Sequence, residues 1–268
     1  MPFRSSPSAA TDAALLSSEE VIARLEQGFR ENAMLAFDAD GTLWSGDIGV
    51  ETFETVLERR ALRQHALEAL QAEAQLYDVP LYADVNDQAR QLHEAYQGGR
   101  YPEERAFPMM AWVFAGFRTD EMRAFGRDVI EKRALSTRIH REILPIVHWA
   151  ARRGLPVYVV SASQVHVVRV AVELLQLLVT DVFAMSPVVE NDVLQPRVRE
   201  PITYAAGKTA ALRAAVPDKV LLGAFGDSSF DAAMLREAKV AVCVRPKPNV
   251  FTGASSCPGL IELLPRDS

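Results

Sequence analysis

Cysteine is scarce in this chain. Cys243 and Cys257 form neither a CxxC pair nor the disulfide framework of a small secreted domain. Cys243 falls inside an apolar run, the setting of a core residue. No apolar stretch reaches the length of a membrane span. The segment Met1–Ser18 is rich in Ser, Ala and Pro with a single Arg and lacks the continuous apolar segment of a signal peptide. A cytoplasmic location is therefore expected. Dense basic runs are absent and the formal net charge is −6, which argues against nucleic-acid binding. The five histidines (His65, His93, His140, His148, His166) are scattered without metal-ligand spacing. Gly207-Lys208-Thr209 ends like a Walker loop, but Ile202 stands where the earlier glycine belongs. Ser161-Ala162-Ser163 lacks the flanking glycines of a nucleophile elbow.

What is present is an ordinary globular composition, 49% apolar and 24% charged, in a chain long enough for one large α/β domain or a domain with a substantial insert. The stretch Met34–Trp44 organises the rest. It opens as an apolar run of strand length and then delivers Asp38, Asp40, Gly41 and Thr42. An apolar run suits a strand buried on both faces of a parallel sheet, and ligands bind such sheets at the carboxyl ends of their strands. Two aspartates one residue apart repel each other. They become useful around a cation, or where one attacks while the other carries a proton.

Around this stretch the pattern divides. The first dozen residues read as a loose tail, and Ser17 with Glu20 has capping-box spacing before a helix carrying Val21, Ile22, Leu25 and Phe29. Gly46-Asp47-Ile48-Gly49 is turn-like. The pattern from Glu51 to Leu135 is helical, with segments at 51–77, 87–97, 108–117 and 120–133. Strands then alternate with helices: a helix over 137–153, a strand at 156–161, a helix over 164–178 and a strand at 182–185. A hairpin around Asn191-Asp192 follows, then a helix over 208–215, a strand at 220–225, a helix over 230–238 and a last strand at 240–244. This alternation predicts an α/β fold, a Rossmann-like doubly wound parallel sheet. Residues 1–45 and 136–268 form its core, and 46–135 form an inserted helical cap.

Asp38 with Asp40, Ser161, Lys208, and Asp227 with Asp231 then fall at the ends of expected elements. Their chemistry is consistent: carboxylates are hard oxygen ligands suited to Mg²⁺, while a hydroxyl and an ammonium suit phosphate oxygens. Asp38-Ala39-Asp40-Gly41-Thr42, Ser161, Lys208 and Gly226-Asp227-Ser228-Ser229-Phe230-Asp231 resemble, in order, the motifs of the haloacid dehalogenase superfamily. The helical insert and Val160-Ser161-Ala162-Ser163 resemble its phosphoserine phosphatase-like branch. The resemblance spans about Met34 to Val250. It implies Asp38 as nucleophile and metal ligand, and Asp40 as general acid and base with its carbonyl on the metal. Thr42 would orient the first loop, Ser161 and Lys208 would bind the phosphoryl group, Asp227 would ligate Mg²⁺, and Asp231 would support it. The expected activity is hydrolysis of a small phosphorylated metabolite through an aspartyl phosphate. A phosphotransferase or mutase, or a silent phospho-ligand-binding protein, are the alternatives.

The substrate is less well specified. Asp47 lies where that branch carries an acidic residue near the substrate amine, and Trp44 offers a cation–π face. Together they suggest phosphoserine, phosphoethanolamine or phosphocholine. A plain helix cap at Asp47 and a packed Trp44 are the favoured alternative, since Asp is common at N-caps. Arg100, Arg105 and Arg118 are candidates for a substrate carboxylate. Met109, Met110, Trp112, Phe114 and Phe117 are expected to pack within the insert.

Overall fold

The computed structural model describes residues 13–249, 257 and 259–266, so the tail expected over the first dozen residues lies outside the described chain. Seven strands form one parallel sheet: Ala14–Leu16 (β1), Ala33–Phe37 (β2), Val157–Gln164 (β3), Asp181–Met185 (β4), Val220–Gly226 (β7), Val240–Val244 (β8) and Ile261–Leu263 (β9). Their order is β1-β9-β8-β7-β2-β3-β4, and each neighbouring pair is parallel. From β2 the chain winds to β3 and β4 on one side and later to β7, β8 and β9 on the other. The β2–β7 boundary is thus the switch point where a doubly wound sheet opens its crevice.

All five β2 residues are buried, and their alternation serves both faces. Leu35 and Phe37 join Val21 and Leu25 of Ser18–Gly28 (α1) and Ile146 of Leu144–Arg152 (α7). Met34 and Ala36 join Leu212 of Ala206–Ala215 (α9) and Leu235 of Ala232–Glu237 (α10). Phe37 stacks on Phe225 across the switch point, with ring centroids 4.0 Å apart. The capping box expected for α1 is present on Ser17 and Glu20.

Between β2 and β3 the chain is helical: Ile48–Glu58 (α2), Leu67–Leu76 (α3), Val85–Gln97 (α4), Glu103–Trp112 (α5) and Thr119–Lys132 (α6), then α7. The helix expected over 51–77 is broken, because Arg60 turns to φ +48° and α2 stops at Glu58. The segment expected at 108–117 is α5, displaced toward the N-terminus with Pro108 inside it. Proline costs a helix about 3 kcal/mol, and the buried packing of Met109, Met110 and Trp112 offsets that here. The helix expected from 137 begins only at Leu144, with Pro145 in its first turn. Gly154 follows α7 with φ +64°, a left-handed terminator.

Pro187–Glu190 (β5) and Val193–Val198 (β6) form the expected hairpin, with Asn191 and Asp192 at φ 49° and 65° as a tight primed turn demands. It packs against the insert, since Leu194 N donates to Phe117 O and Gly116 N to Leu194 O, each at 2.8 Å. Between β3 and β4, Val165–Leu174 (α8) packs against α6. The strand at 240–244 is not the last, because β9 follows it and also pairs with β1. Both are only three residues long, too short for a visible period. Cys243 is fully buried as expected. Among the described residues no helix is long and apolar enough to cross a membrane.

Candidate active site

The turn after β2 is held tightly. Leu43 N and Thr42 N donate to Ala39 O, and Gly41 N donates to Trp44 O. Gly41 sits at φ +86°, and a Cβ there would overlap the Asp227 carboxylate, so glycine is required both for the backbone and for the approach of the two loops. Asp38 N donates to Phe225 O at 2.9 Å, tying the turn to β7.

Asp38 is 5% exposed. Its Oδ1 meets Lys208 Nζ at 2.5 Å, and its Oδ2 accepts from Thr42 Oγ1 at 3.0 Å. Lys208 also reaches Asp231 Oδ1 at 2.6 Å, while Asp231 Oδ2 accepts the amides of Asp227 and Ser228 at 3.1 Å each. Asp231 thus props the second loop. Lys247 closes the other side on Asp227 Oδ2 at 2.7 Å. Asp40 is held by three donors: Trp44 Nε1 (2.8 Å) and Ile48 N (2.9 Å) on Oδ1, and Ser163 Oγ (2.6 Å) on Oδ2. Ser161 Oγ accepts from Ser163 N at 3.0 Å.

Asp38, Asp40, Asp47, Ser161, Lys208 and Asp227 therefore line one cavity of about 70 Å³. Ser161 stands three residues inside β3 rather than at its end, with the register shift between Ser161 and Gln164 turning the strand at the site. Thr42 is fully buried and orients Asp38 instead of facing the cavity. Asp47 caps α2 through Val50 N (2.9 Å), the role favoured from sequence, and also faces the cavity. Trp44 is fully buried with its indole N–H on Asp40, so it offers no cation–π face to a ligand. Arg105 pairs with Glu73 and Arg118 with Asp192, while Arg100 is exposed and outside the cavity lining. Met109, Trp112, Phe114 and Phe117 are buried in the insert, and Met110 and Phe114 also edge a recess beside Asp47.

Two contributors carry no sequence signal, Lys247 and His140, and Ser163, part of the stretch resembling the phosphatase-like branch, has no expected role. Buried His140 donates from Nδ1 to Thr42 O at 3.0 Å, the carbonyl fixing the tautomer, and its backbone N–H donates to Leu43 O.

Burial is the main cause of the raised pKa of Asp38, and the charges of Asp231 and Asp227 add to it against Lys208. Burial also raises Asp40, against its bonds from Ser163, Ile48 and Trp44. Burial and then Asp40 push Asp47 up to about 7. Lys208 remains charged: burial works against it, but Asp231 and Asp38 hold its pKa above the ordinary range. Oxygens of Asp38, Asp227 and Asp231 lie within 4.8 Å of one another, and carboxylates outnumber ammonium groups around the cavity. This surplus of hard oxygen donors fits a divalent cation such as Mg²⁺. Asp231 commits its oxygens to Lys208 and two loop amides and does not line the cavity, whereas Asp38 and Asp227 do, so a cation there would be held by these two.

A parallel, doubly wound sheet with acidic loops at its switch point defines a Rossmann-like α/β core with its site at the carboxyl ends of the strands. The family model of haloacid dehalogenase-like hydrolases matches residues 35–236, and the chain belongs to that family. No curated protein matches it. Among solved structures, a protein of unknown function from Bordetella pertussis Tohama I is 17% identical, with TM-score 0.66 over 88% of this chain and 99% of that one. A substrate-bound phosphoserine phosphatase is 15% identical, with TM-score 0.53 over 89% and 96%. A cytosolic 5'-nucleotidase IIIB bound to cytidine is 12% identical, with TM-score 0.57 over 92% and 85%. These likenesses establish the shared fold.

Proposed function

We propose that this protein is a Mg²⁺-dependent phosphomonoesterase that hydrolyses a small phosphorylated metabolite through an aspartyl phosphate on Asp38. The observation that carries this reading is the pairing of two aspartates, buried Asp38 against Lys208 and half-buried Asp40 against Ser163, around one small cavity. A carboxylate oxygen of Asp38 attacks phosphorus in line with the leaving alcohol. Lys208 and the Ser161 hydroxyl hold phosphoryl oxygens. Asp40, whose pKa burial raises, gives its proton to the departing alkoxide and then takes one from the water that hydrolyses the aspartyl phosphate. That second step releases phosphate and restores the Asp38 carboxylate. When bound between Asp38 and Asp227, Mg²⁺ would neutralise phosphoryl charge.

Residues 46–135 serve as a cap over a core of 1–45 and 136–268. Phe107 of α5 supports this role, stacking on Tyr204 (5.2 Å between centroids) while lining the cavity. Two unpaired buried cysteines suit the reducing cytoplasm. Phosphate release from small phosphomonoesters, with Mg²⁺ and with EDTA, tests the proposal. Turnover is expected only with Mg²⁺ and is expected to vanish in Asp38→Asn, whereas turnover surviving that substitution would sink the mechanism.

A further inference from the structure

The ammonium of Lys208 carries three N–H donors. Asp38 Oδ1 and Asp231 Oδ1 take two of them at 2.5 and 2.6 Å, which leaves one for a phosphoryl oxygen. Where that donor points depends on how the first turn of α9 sits, because Lys208 is the third residue of the helix. The start of α9 has little local support. Ala205 precedes it without a side-chain bond to cap the helix, at φ +48° and ψ −123°, a conformation that residues with a Cβ rarely adopt. Such backbone persists only where its surroundings hold it.

Two neighbours hold it. Gly207 packs so closely on the preceding chain that a Cβ there would lie 1.8 Å from Ile202 O. Tyr204 is the other. Its carbonyl accepts from Gly207 N at 2.8 Å, beside the bond from Lys208 N to Ala205 O at 3.1 Å. Its side chain reaches across to the cap, where the ring stacks on Phe107 of α5 and the hydroxyl donates to Glu103 Oε2 at 2.8 Å. The same ring meets Phe230, in the loop between Asp227 and Asp231, with centroids 5.0 Å apart. Phe107 and Phe230 lie 6.1 Å apart and both line the cavity, so three rings from three segments close one side of it.

Tyr204 thus has its backbone in the turn that starts α9 and its side chain between the cap and the Asp227 loop. Resting on the phosphomonoesterase reading, we propose that Tyr204 is a positioning residue, which makes the placement of Lys208 depend on residues 46–135 being seated over the core. A cap out of place releases the hydroxyl and the ring together, and the strained turn at Ala205 loses the contact that holds it. Lys208 then keeps its charge and its two carboxylates but no longer aims its third donor at the phosphoryl group. Phosphoryl transfer to Asp38 is thereby confined to the closed state.

Glu103→Ala removes the acceptor from the cap side and leaves α9 untouched. On the full chain with Mg²⁺ and p-nitrophenyl phosphate, it and Tyr204→Phe are each expected to lower kcat about fivefold, with KM within about twofold of wild type. The double variant is expected to lose no more than either alone, since both break one bond. Glu103→Gln restores an oxygen acceptor and is expected to return kcat to within about twofold of wild type. Amide hydrogen exchange without substrate gives a readout apart from activity. In Glu103→Ala, peptides over 205–212 are expected to exchange about fivefold faster together with those of α5, while β8 is unchanged. Should that variant fail to fold, Tyr204→Phe is expected to show the same paired acceleration. Faster exchange in α5 alone, losses that multiply in the double variant, or a lowered Tm with unchanged kcat would overturn the inference. If wild type is inert on p-nitrophenyl phosphate and on small phosphomonoesters, the phosphomonoesterase reading falls, and the exchange experiment still decides whether Tyr204 couples the cap to α9.

Discussion

Asp38 sits between an ammonium and a hydroxyl that hold its two oxygens in one orientation, so its charge rather than its shape is what a substitution tests. Asp38→Asn is expected to keep the fold and to lower kcat at least ~1000-fold, measured by phosphate release. Ser163 acts on the second aspartate. Its hydroxyl pulls the pKa of Asp40 down against burial, so removing it lets that pKa rise. Ser163→Ala is expected to lower kcat roughly 10-fold and to move the basic limb of the pH–rate profile upward, because Asp40 then keeps its proton to higher pH. Gly49 works by absence: a Cβ there would fall against Ser163 Oγ and at 3.2 Å from Asp47 Oδ1. In Gly49→Ala both side chains must shift, and the expected loss resembles that of Ser163→Ala.

At the scale of elements, the helical insert and the β5–β6 hairpin behave as one unit although the sheet's strands β3 and β4 separate them in sequence. Backbone bonds join Gly116 and Phe117 to Leu194, and Arg118 and Thr119 both hold Asp192. On the opposite side Tyr204 Oη donates to Glu103 Oε2 at 2.8 Å, linking the start of α5 to the segment that leads into α9 and Lys208. Tyr204→Phe keeps the ring stacked on Phe107 and removes only this bond. A bond of about 1 kcal/mol corresponds to about fivefold faster opening, which amide hydrogen exchange over α5 would register.

The whole molecule carries a net charge of −6, and its most crowded carboxylates surround one cavity. Metal binding there is expected to raise Tm by about 5–10 °C at Mg²⁺ concentrations near a hundred times Kd, with EDTA reversing the shift. Without metal, Asp47 gives a pH signature. Its folded pKa is about 7 against an ordinary 3.8, so between these values the native state keeps a proton that the unfolded chain releases. His166, whose pKa burial lowers to about 4, acts in the opposite direction between about 4 and 6.5. The Asp47 share is therefore read as the wild-type minus Asp47→Asn difference in thermal melts of the metal-free protein. That difference is expected to fall as pH rises from about 4 to 7 and to level off above. The carboxylates with lowered pKa, such as Glu26 and Asp128, are exposed in their ion pairs and oppose this weakly.

Local chemistry made much of this legible beforehand. The strand at Ala33–Phe37 reads directly from its unbroken apolar run, and the hairpin reads from Asn191-Asp192, residues that tolerate positive φ. The order of Asp38, Asp40, Ser161, Lys208, Asp227 and Asp231 along alternating elements placed them at one sheet edge, because parallel strands point their carboxyl ends the same way. Breaks at Arg60 and Leu144, and Pro108 inside a helix, were not legible, since packing overrode local preference there. Nor were Lys247 and His140, whose partners lie far along the chain. By itself the sequence determined which elements form and which charges the turns carry, because both depend on neighbours a few residues away. Only the tertiary structure decided that Trp44 is buried, that Asp47 serves the helix and the cavity at once, and that Lys247 closes on Asp227, because those outcomes depend on which surfaces meet.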